Sequence, residues 1–397
     1  MRKRPLLAAI LSLPLLLAGA CGDSGDEGGG TEQTIKLVGL WEIKGESAAA
    51  INDYHDGAAL AVEDINAAGG IMGRKVVLDR VAIDPLNPQK ATSQFLEAVD
   101  KDPDMLIGFP SATALISAKG QIDRSGIPLI ATASASTALR FGSAGASEWA
   151  WYVQPYDEFK NQAAVRYILE DLKATKVGLM GTNEAYGTTN IKSQTALLQE
   201  KGLTPFASRT YDATATDLTQ HVLAMKGADA VISFTFPNPL AIEMKQFLQN
   251  GIDVPVFSSS SATLAVNNKL LTGEPLKNLH AVVPCDPASS TDAKVKAFGE
   301  KYKTKFNEVA TSLAAGSYDA VWIAKAAIEK AGGTDPAAIK KAMSEVNVSG
   351  NVICAGNYKA DAAHMMNRDM AVVQYAADGS SKEIKRYTFE ELPAATS

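Results

Sequence analysis

The sequence predicts an α/β protein with parallel sheets, organised as two similar lobes. Two observations carry this. Short apolar runs of strand length alternate with longer segments in which apolar residues recur at spacings of three and four. The alternation also comes as two series, one before and one after Tyr152. Repeated βα units place helices on both faces of a parallel sheet.

The elements follow in order. Ile35–Leu40 (IKLVGL) is a short buried strand. A helix follows with Ile51, Tyr54, Ala58, Val62 and Ile65 on one face, ending at Gly69-Gly70, where glycine accepts a left-handed cap. Lys75–Val81 is a strand, and Asn87-Pro88 opens a helix through Phe95, Leu96 and Val99, because proline is tolerated in a first turn. Met105–Phe109 is a strand, Ala112–Arg124 a helix and Ile127–Ala131 a strand. In the second series Asn161–Leu172 is a helix, Val177–Gly181 a strand, and a helix runs from about Thr188 to near Gly202. Leu218–Met225, Ala230–Phe236, Leu240–Gln249 and Val254–Ser258 continue as helix, strand, helix, strand. Ser317–Ala331 and Asp335–Met343 are helices, the latter with Asp335 as N-cap and Pro336 in the first turn. Asp369–Tyr375 and Ile384–Phe389 pair as strands around Asp378-Gly379.

The N-terminus carries an export signal. Arg2, Lys3 and Arg4 precede an apolar run from Leu6 to Leu17, then Ala18, Gly19, Ala20 and Cys21. The run is shorter than the roughly 20 residues a helix needs to span a bilayer. The small residues before Cys21 read as a lipoprotein cleavage site, with residues 1–20 removed and Cys21 as the lipidated first mature residue. The alternative is an ordinary cleaved signal with a free Cys21. Both place the folded part outside the cytoplasm. Residues 21–34 are Gly-rich, acidic and almost free of apolar side chains, a flexible tether.

The formal net charge is −6, and loss of Arg2, Lys3 and Arg4 with the leader makes the mature chain more acidic. That balance argues against nucleic acid as partner. The length suits two domains, and no second long apolar stretch predicts a membrane span. Beyond Cys21 only Cys285 and Cys354 remain, either a structural disulfide or two buried thiols.

Catalytic signatures are missing. There is no G-x-S-x-G elbow, no P-loop and no G-x-G-x-x-G. His55, His221, His280 and His364 are scattered, without metal-ligand spacing, so no metal, no cofactor and no enzyme activity are expected. Hydroxyls and small residues instead follow two strands. Met105–Phe109 leads into Ser111 and Thr113; Ile127–Ala131 leads into Thr132, Ala133, Ser134 and Ser136. Ligands of open α/β sheets sit outside the carboxyl ends of strands, where helix N-termini favour anions. The same residues can equally serve as plain N-caps.

These residues carry a resemblance. Asp56–Lys75 (DGAALAVEDINAAGGIMGRK) resembles the corresponding helix and turn of type I periplasmic binding proteins, in the leucine/isoleucine/valine-binding branch that serves ABC importers. The resemblance continues in Asp84-Pro85, Ala91, Gly108–Ser111, Gly126-Ile127-Pro128, Lys176–Gly181, Tyr186-Gly187 and Ser317–Gly332, in family order across Ile35 to Thr388. It implies two Rossmann-like lobes joined by three hinge crossings, near Tyr152–Pro155, Pro284–Asp286 and Gly350. One lobe is then 35–153 with 286–350, the other 154–285 with 351–397. Cys285 and Cys354 fall close to two crossings.

The resemblance also implies a small-molecule ligand, an amino acid or related solute, held between the lobes, and an ABC permease as partner; a monomer is expected because the sequence shows no oligomer signature. Ser111, Ala133 and Ser134 or Ser136 match the residues that hold the ligand carboxylate. Tyr186 matches a tyrosine that closes over the ligand, and Trp41 either covers the ligand or packs its lobe. Asn238, in Phe236-Pro237-Asn238-Pro239, stands where the resemblance expects an acid for the ligand's amine. An amide cannot compensate an ammonium as a carboxylate does. Either Glu184 or another acid supplies that charge, or the ligand has no free amine. A ligand sensor of the same fold, signalling to a membrane receptor, is the alternative function.

Overall fold

The computed structural model describes residues 34–41, 51–84, 87–109, 111–132, 139, 144–349, 354, 357–362, 364–366 and 368–392. The leader, Cys21, Ala133, Ser134, Ser136 and the expected crossing at Gly350 lie outside these residues.

Strands β1 (Ile35–Trp41), β2 (Val76–Ala82), β3 (Met105–Gly108), β4 (Leu129–Ala131) and β5 (Ala150–Tyr152) form an all-parallel sheet in the order β2-β1-β3-β4-β5. Helices α1 (Ile51–Ala67), α2 (Pro88–Val99) and α3 (Ala112–Ser125) connect them. Strand alternation divides the apolar side chains between two faces. Ile35, Leu37, Met105 and Ile107 pack with α1, while Val38, Leu40, Leu106 and Leu129 pack with α2 and α3. Both faces are covered, as a parallel sheet requires.

The second sheet begins after α4 (Asp157–Glu170). It contains β6 (Val177–Thr182), β7 (Ala207–Tyr211), β8 (Ala230–Phe234), β9 (Val256–Ser258) and β10 (Leu279–Val283), with α5 (Ala185–Glu200), α6 (Thr219–Leu223), α7 (Pro237–Gln249) and α8 (Ser260–Asn267) between them. After β10 come α9 (Ala293–Phe306), α10 (Ser312–Ala331) and α11 (Pro336–Met343), then the small antiparallel pair β11 (Asn347–Ser349) and β12 (Asn357–Lys359). Strands β13 (Met370–Tyr375) and β14 (Ser381–Tyr387) complete the order β14-β13-β10-β9-β8-β6-β7, antiparallel only at β10-β13 and β13-β14.

The chain thus passes between the layers three times. It leaves the first sheet after β5, returns after β10 so that α10 packs in the first core with α1, and leaves again between β12 and β13. The α1–α10 contact is close: a Cβ on Gly57 would collide with the Ala314 carbonyl. The third passage runs beside the first, with Tyr152 N donating to His364 O and Met366 N to Tyr152 O, both at 2.9 Å.

A disulfide joins Cys285, just past β10, to Cys354, with Cα atoms 5.4 Å apart. Beside it lies a fully buried ion pair. Asp319 Oδ2 accepts from Arg368 Nη2 at 3.0 Å, Tyr358 OH at 3.1 Å and Cys354 N at 3.4 Å, and the guanidinium lies 4.5 Å from the Tyr358 ring centre. Burial lowers the Arg368 pKa to about 10, opposed by the Asp319 charge.

Several bounds differ from those the sequence predicts. Helix α5 starts at Ala185, not Thr188, because Glu184 caps it; α10 starts at Ser312, not Ser317, because Thr311 accepts from Leu313 N and Ala314 N. Strand β8 ends at Phe234, and Pro237 opens α7, so Asn238 lies in a helical first turn. Strands β5, β7 and β10 and helices α8 and α9 were not among the predicted elements.

Candidate functional site

At the carboxyl ends of the first sheet, three residues mark the candidate site. Trp41 closes β1, fully buried, with its ring folded back over the strand; a Cβ on Gly39 would strike it, so glycine is needed there. Trp41 Nε1 donates to Thr132 Oγ1 at the end of β4 at 3.4 Å, and its ring meets His55 edge-on at 6.1 Å. Past β3, Phe109 takes φ +67°, a conformation a bulky residue adopts at a cost of about 1–3 kcal/mol. Its buried ring packs on Phe95 at 6.0 Å, and its N–H donates to Leu40 O at 2.8 Å. These contacts hold the turn that delivers Ser111 as N-cap of α3, where its Oγ accepts from Ala114 N at 3.1 Å.

At the carboxyl ends of the second sheet, Glu184 organises the first turn of α5. Oε1 accepts from Thr182 Oγ1 (2.6 Å) and Gly187 N (3.1 Å); Oε2 accepts from Tyr186 N (2.7 Å). A Cβ on Gly187 would collide with Thr182 backbone, so only glycine lets the helix start this close to β6. Tyr186 OH donates to Ser259 Oγ at 2.8 Å, and its ring lies 6.0 Å from Phe236. Burial, with the nearby Asp157 charge, raises the Tyr186 pKa well above its usual value, so it remains a hydroxyl. Asn238 is half-buried two residues after Phe236.

Hydrogen bonds connect the layers here. Thr113 Oγ1, in the first turn of α3, donates to Glu184 Oε2 at 3.5 Å. Ser260 Oγ in α8 and Ser312 Oγ in α10 lie 3.1 Å apart. Below them α4 and α5 are tied by a buried polar ladder. Lys160 Nζ donates to Asp157 Oδ1 (2.8 Å), Asn190 donates to Asp157 Oδ2 (3.2 Å) and to Tyr186 O (2.8 Å), and Asn161 donates to Asn190 (2.8 Å).

Of the residues singled out in the sequence, Ser111 and Tyr186 flank the Thr113–Glu184 contact from opposite layers. Asn238 follows Phe236, whose ring meets Tyr186, by two residues, and Trp41 is hydrogen-bonded to Thr132 at the end of β4, two strands away in the sheet. Glu184, considered as a partner for an amine, is a helix cap. Ser258–Ser261, four serines in a row where β9 meets α8, are not among the residues singled out in the sequence; a hydroxyl run just after a buried strand is their signal.

The model of the periplasmic binding protein family matches residues 34–380. The chain belongs to the periplasmic binding protein family. This periplasmic binding protein is 25% identical to the Leu/Ile/Val-binding protein homolog 7 of Brucella suis over 361 residues, covering 87% of this chain and 88% of the relative. The crystal structure of the branched-chain amino acid transporter substrate-binding protein LivJ from Streptococcus pneumoniae, in complex with isoleucine, aligns with TM-score 0.77 and 24% identity, covering 89% of this chain and all of that one. A solute-binding protein of R. palustris in complex with benzoate aligns with TM-score 0.78 and 16% identity, covering 89% and 96%. The fold of this periplasmic binding protein is therefore type I. A separate cavity of about 510 Å3, lined by Met244, Phe247, Leu248, Ile252 and Val254, lies at the amino end of β9, away from these clusters. Among the described residues no group of three or more His, Cys, Asp or Glu could hold a metal ion, and no helix is long and apolar enough to cross a membrane.

Proposed function

We propose that this protein is the extracytoplasmic solute-binding component of an ABC importer. It captures an amino acid or related small organic solute between the two layers and presents it to the permease. The observation that carries this is the meeting of α3 and α5 at the carboxyl ends of both sheets, bridged by Thr113 and Glu184. The two lobes are 35–153 with 286–350 and 154–285 with 351–397, and they close on the solute. Only contacts that favour the closed form can drive that closure. Ser111, with Ala133 and Ser134 or Ser136, binds the solute's carboxylate from one side; Tyr186 and Asn238 contact it from the other, and Trp41 backs the site. Cys21 carries the lipid that anchors the mature protein, a monomer, to the outer face of the membrane.

Support comes from the family, from the Leu/Ile/Val-binding homologue and from two neighbours of this fold that hold isoleucine and benzoate, both small carboxylates. A thermal-shift screen over amino acids, amides and small acids tests the reading, since a solute bound only by the native form raises the midpoint. At least one solute is expected to shift the wild type, with a smaller shift in Ser111→Ala and Tyr186→Ala. Wild-type shifts in both variants would remove the cleft assignment. Cys21→Ser is expected to release the protein from the membrane fraction.

A further inference from the structure

We propose that the cleft is built for a carboxylate that carries no ammonium group, a branched or aromatic acid rather than an amino acid. This rests on the cleft reading above and names the solute class. The second layer presents donors and a positive helix end where an ammonium would need acceptors. Helix α8 starts at Ser260 with Ser259 as its cap residue, yet no side chain caps it. Ser259 Oγ is instead engaged by Tyr186 OH. The uncapped first turn keeps its partial positive charge, which attracts anions and repels cations. Ser258 supplies an independent sign. Its Oγ is fully buried and has no hydrogen-bond partner. Along β9, Val256 packs in the core with α7 and α8 while Phe257 packs on the opposite face, so alternation turns Ser258 toward the start of α8. A buried hydroxyl left without a partner is costly, and a bound acceptor would satisfy it.

Among the described residues, four carboxylates at this end of the second sheet are already engaged, and a fifth, Glu243, is fully buried against Tyr211 and Ser233. Glu184 takes donors from Thr182, Tyr186, Gly187 and Thr113. Asp212 takes Thr214 N and Oγ1; Asp286 takes Ser289 Oγ and Ser381 Oγ; Asp157 takes Lys160 and Asn190. The Tyr186–Phe236 aromatic pair suits an apolar body.

The test compares solutes that share a carbon skeleton. The purified protein is titrated calorimetrically with L-leucine and 4-methyl-2-oxopentanoate, with L-phenylalanine and phenylpyruvate, and with benzoate. At least one amine-free acid is expected to bind, with at least tenfold lower Kd than its amino-acid counterpart or, for benzoate, than either amino acid. Ser259→Ala and Ser258→Ala are each expected to weaken that acid at least fivefold. Ser258→Ala removes only an unpartnered hydroxyl, so its melting temperature without solute should match wild type. If an amino acid binds more tightly than its oxo acid, and Tyr186→Ala abolishes that binding, the proposal is overturned while the cleft reading stands. Failure of all three amine-free acids to bind overturns the proposal, and failure of the broader solute screen as well overturns both.

Discussion

Thr113 Oγ1 donates to Glu184 Oε2 at 3.5 Å, joining the first turn of α3 on one sheet to the cap of α5 on the other. The same carboxylate fixes Tyr186 N and Gly187 N, so one side chain sets both the start of α5 and the position of Tyr186. Glu184→Ala should cost about 1–2 kcal/mol, the usual range for a lost N-cap. Urea denaturation checks this, and the solute found in the screen should bind the variant more weakly. Unchanged stability would mean that the cap contributes nothing.

Tyr186→Phe removes one hydroxyl and leaves the ring against Phe236. Its hydrogen bond to Ser259 is worth about 1 kcal/mol. The variant should therefore fold, with a melting temperature within a few degrees of wild type and a reduced solute-induced shift. Ser111→Ala should lose about 1 kcal/mol of stability through its cap and also weaken binding.

Stability should fall from pH 5 to pH 8. Burial raises Asp53 and Glu243 to about 7. Asp53 is bonded to Thr311 and Tyr302, and Glu243 to Tyr211 and Ser233. A raised carboxyl pKa gives stability that is complete below the unfolded value near 4 and is lost as pH rises through 7. His280 acts in the opposite sense. Burial lowers it to about 4, so its contribution is complete above the unfolded value near 6.5 and is lost as pH falls. Two carboxyls outweigh one imidazole, leaving the protein about 3 kcal/mol less stable at pH 8 than at pH 5. Denaturant curves at the two pH values measure this, and Glu243→Gln should remove a large part of the difference. A higher stability at pH 8 would contradict it.

The disulfide spans a sequence separation of 69 residues. Chain entropy puts the loss on removing it at up to about 4 kcal/mol. Cys285→Ser with Cys354→Ser should lower the denaturation midpoint accordingly, and reductant should do so for the wild type but not for the variant.

Much of this architecture was legible in the sequence because it is local. Asn87-Pro88 and Asp335-Pro336 mark helix starts, and both cap as expected: Asn87 accepts from Lys90 N, and Asp335 from Ala338 N. The strands of the first series read clearly because both faces of a parallel sheet are apolar. What escaped depends on tertiary context. Strand β5 has three residues, too few for a period, and β10 carries at its second position a polar residue, His280, whose burial lowers its pKa to about 4. Lysines obscure α9, whose apolar face is Val295, Phe298 and Tyr302. Of the candidate site, Ser111 and Tyr186 could be proposed from their neighbours in sequence. The roles of Glu184 and Ser258–Ser261 could not, because a cap and a serine run acquire their partners only when α5, α8 and β9 converge.

Hydrogen–deuterium exchange, with and without a solute that raises the melting temperature, tests the central claim most directly. Capture between the layers predicts simultaneous added protection at Ser111–Leu115, Tyr186–Ile191 and Ser258–Thr263. Protection confined to the cavity around Leu248 and Val254, with those three segments unchanged, would contradict it.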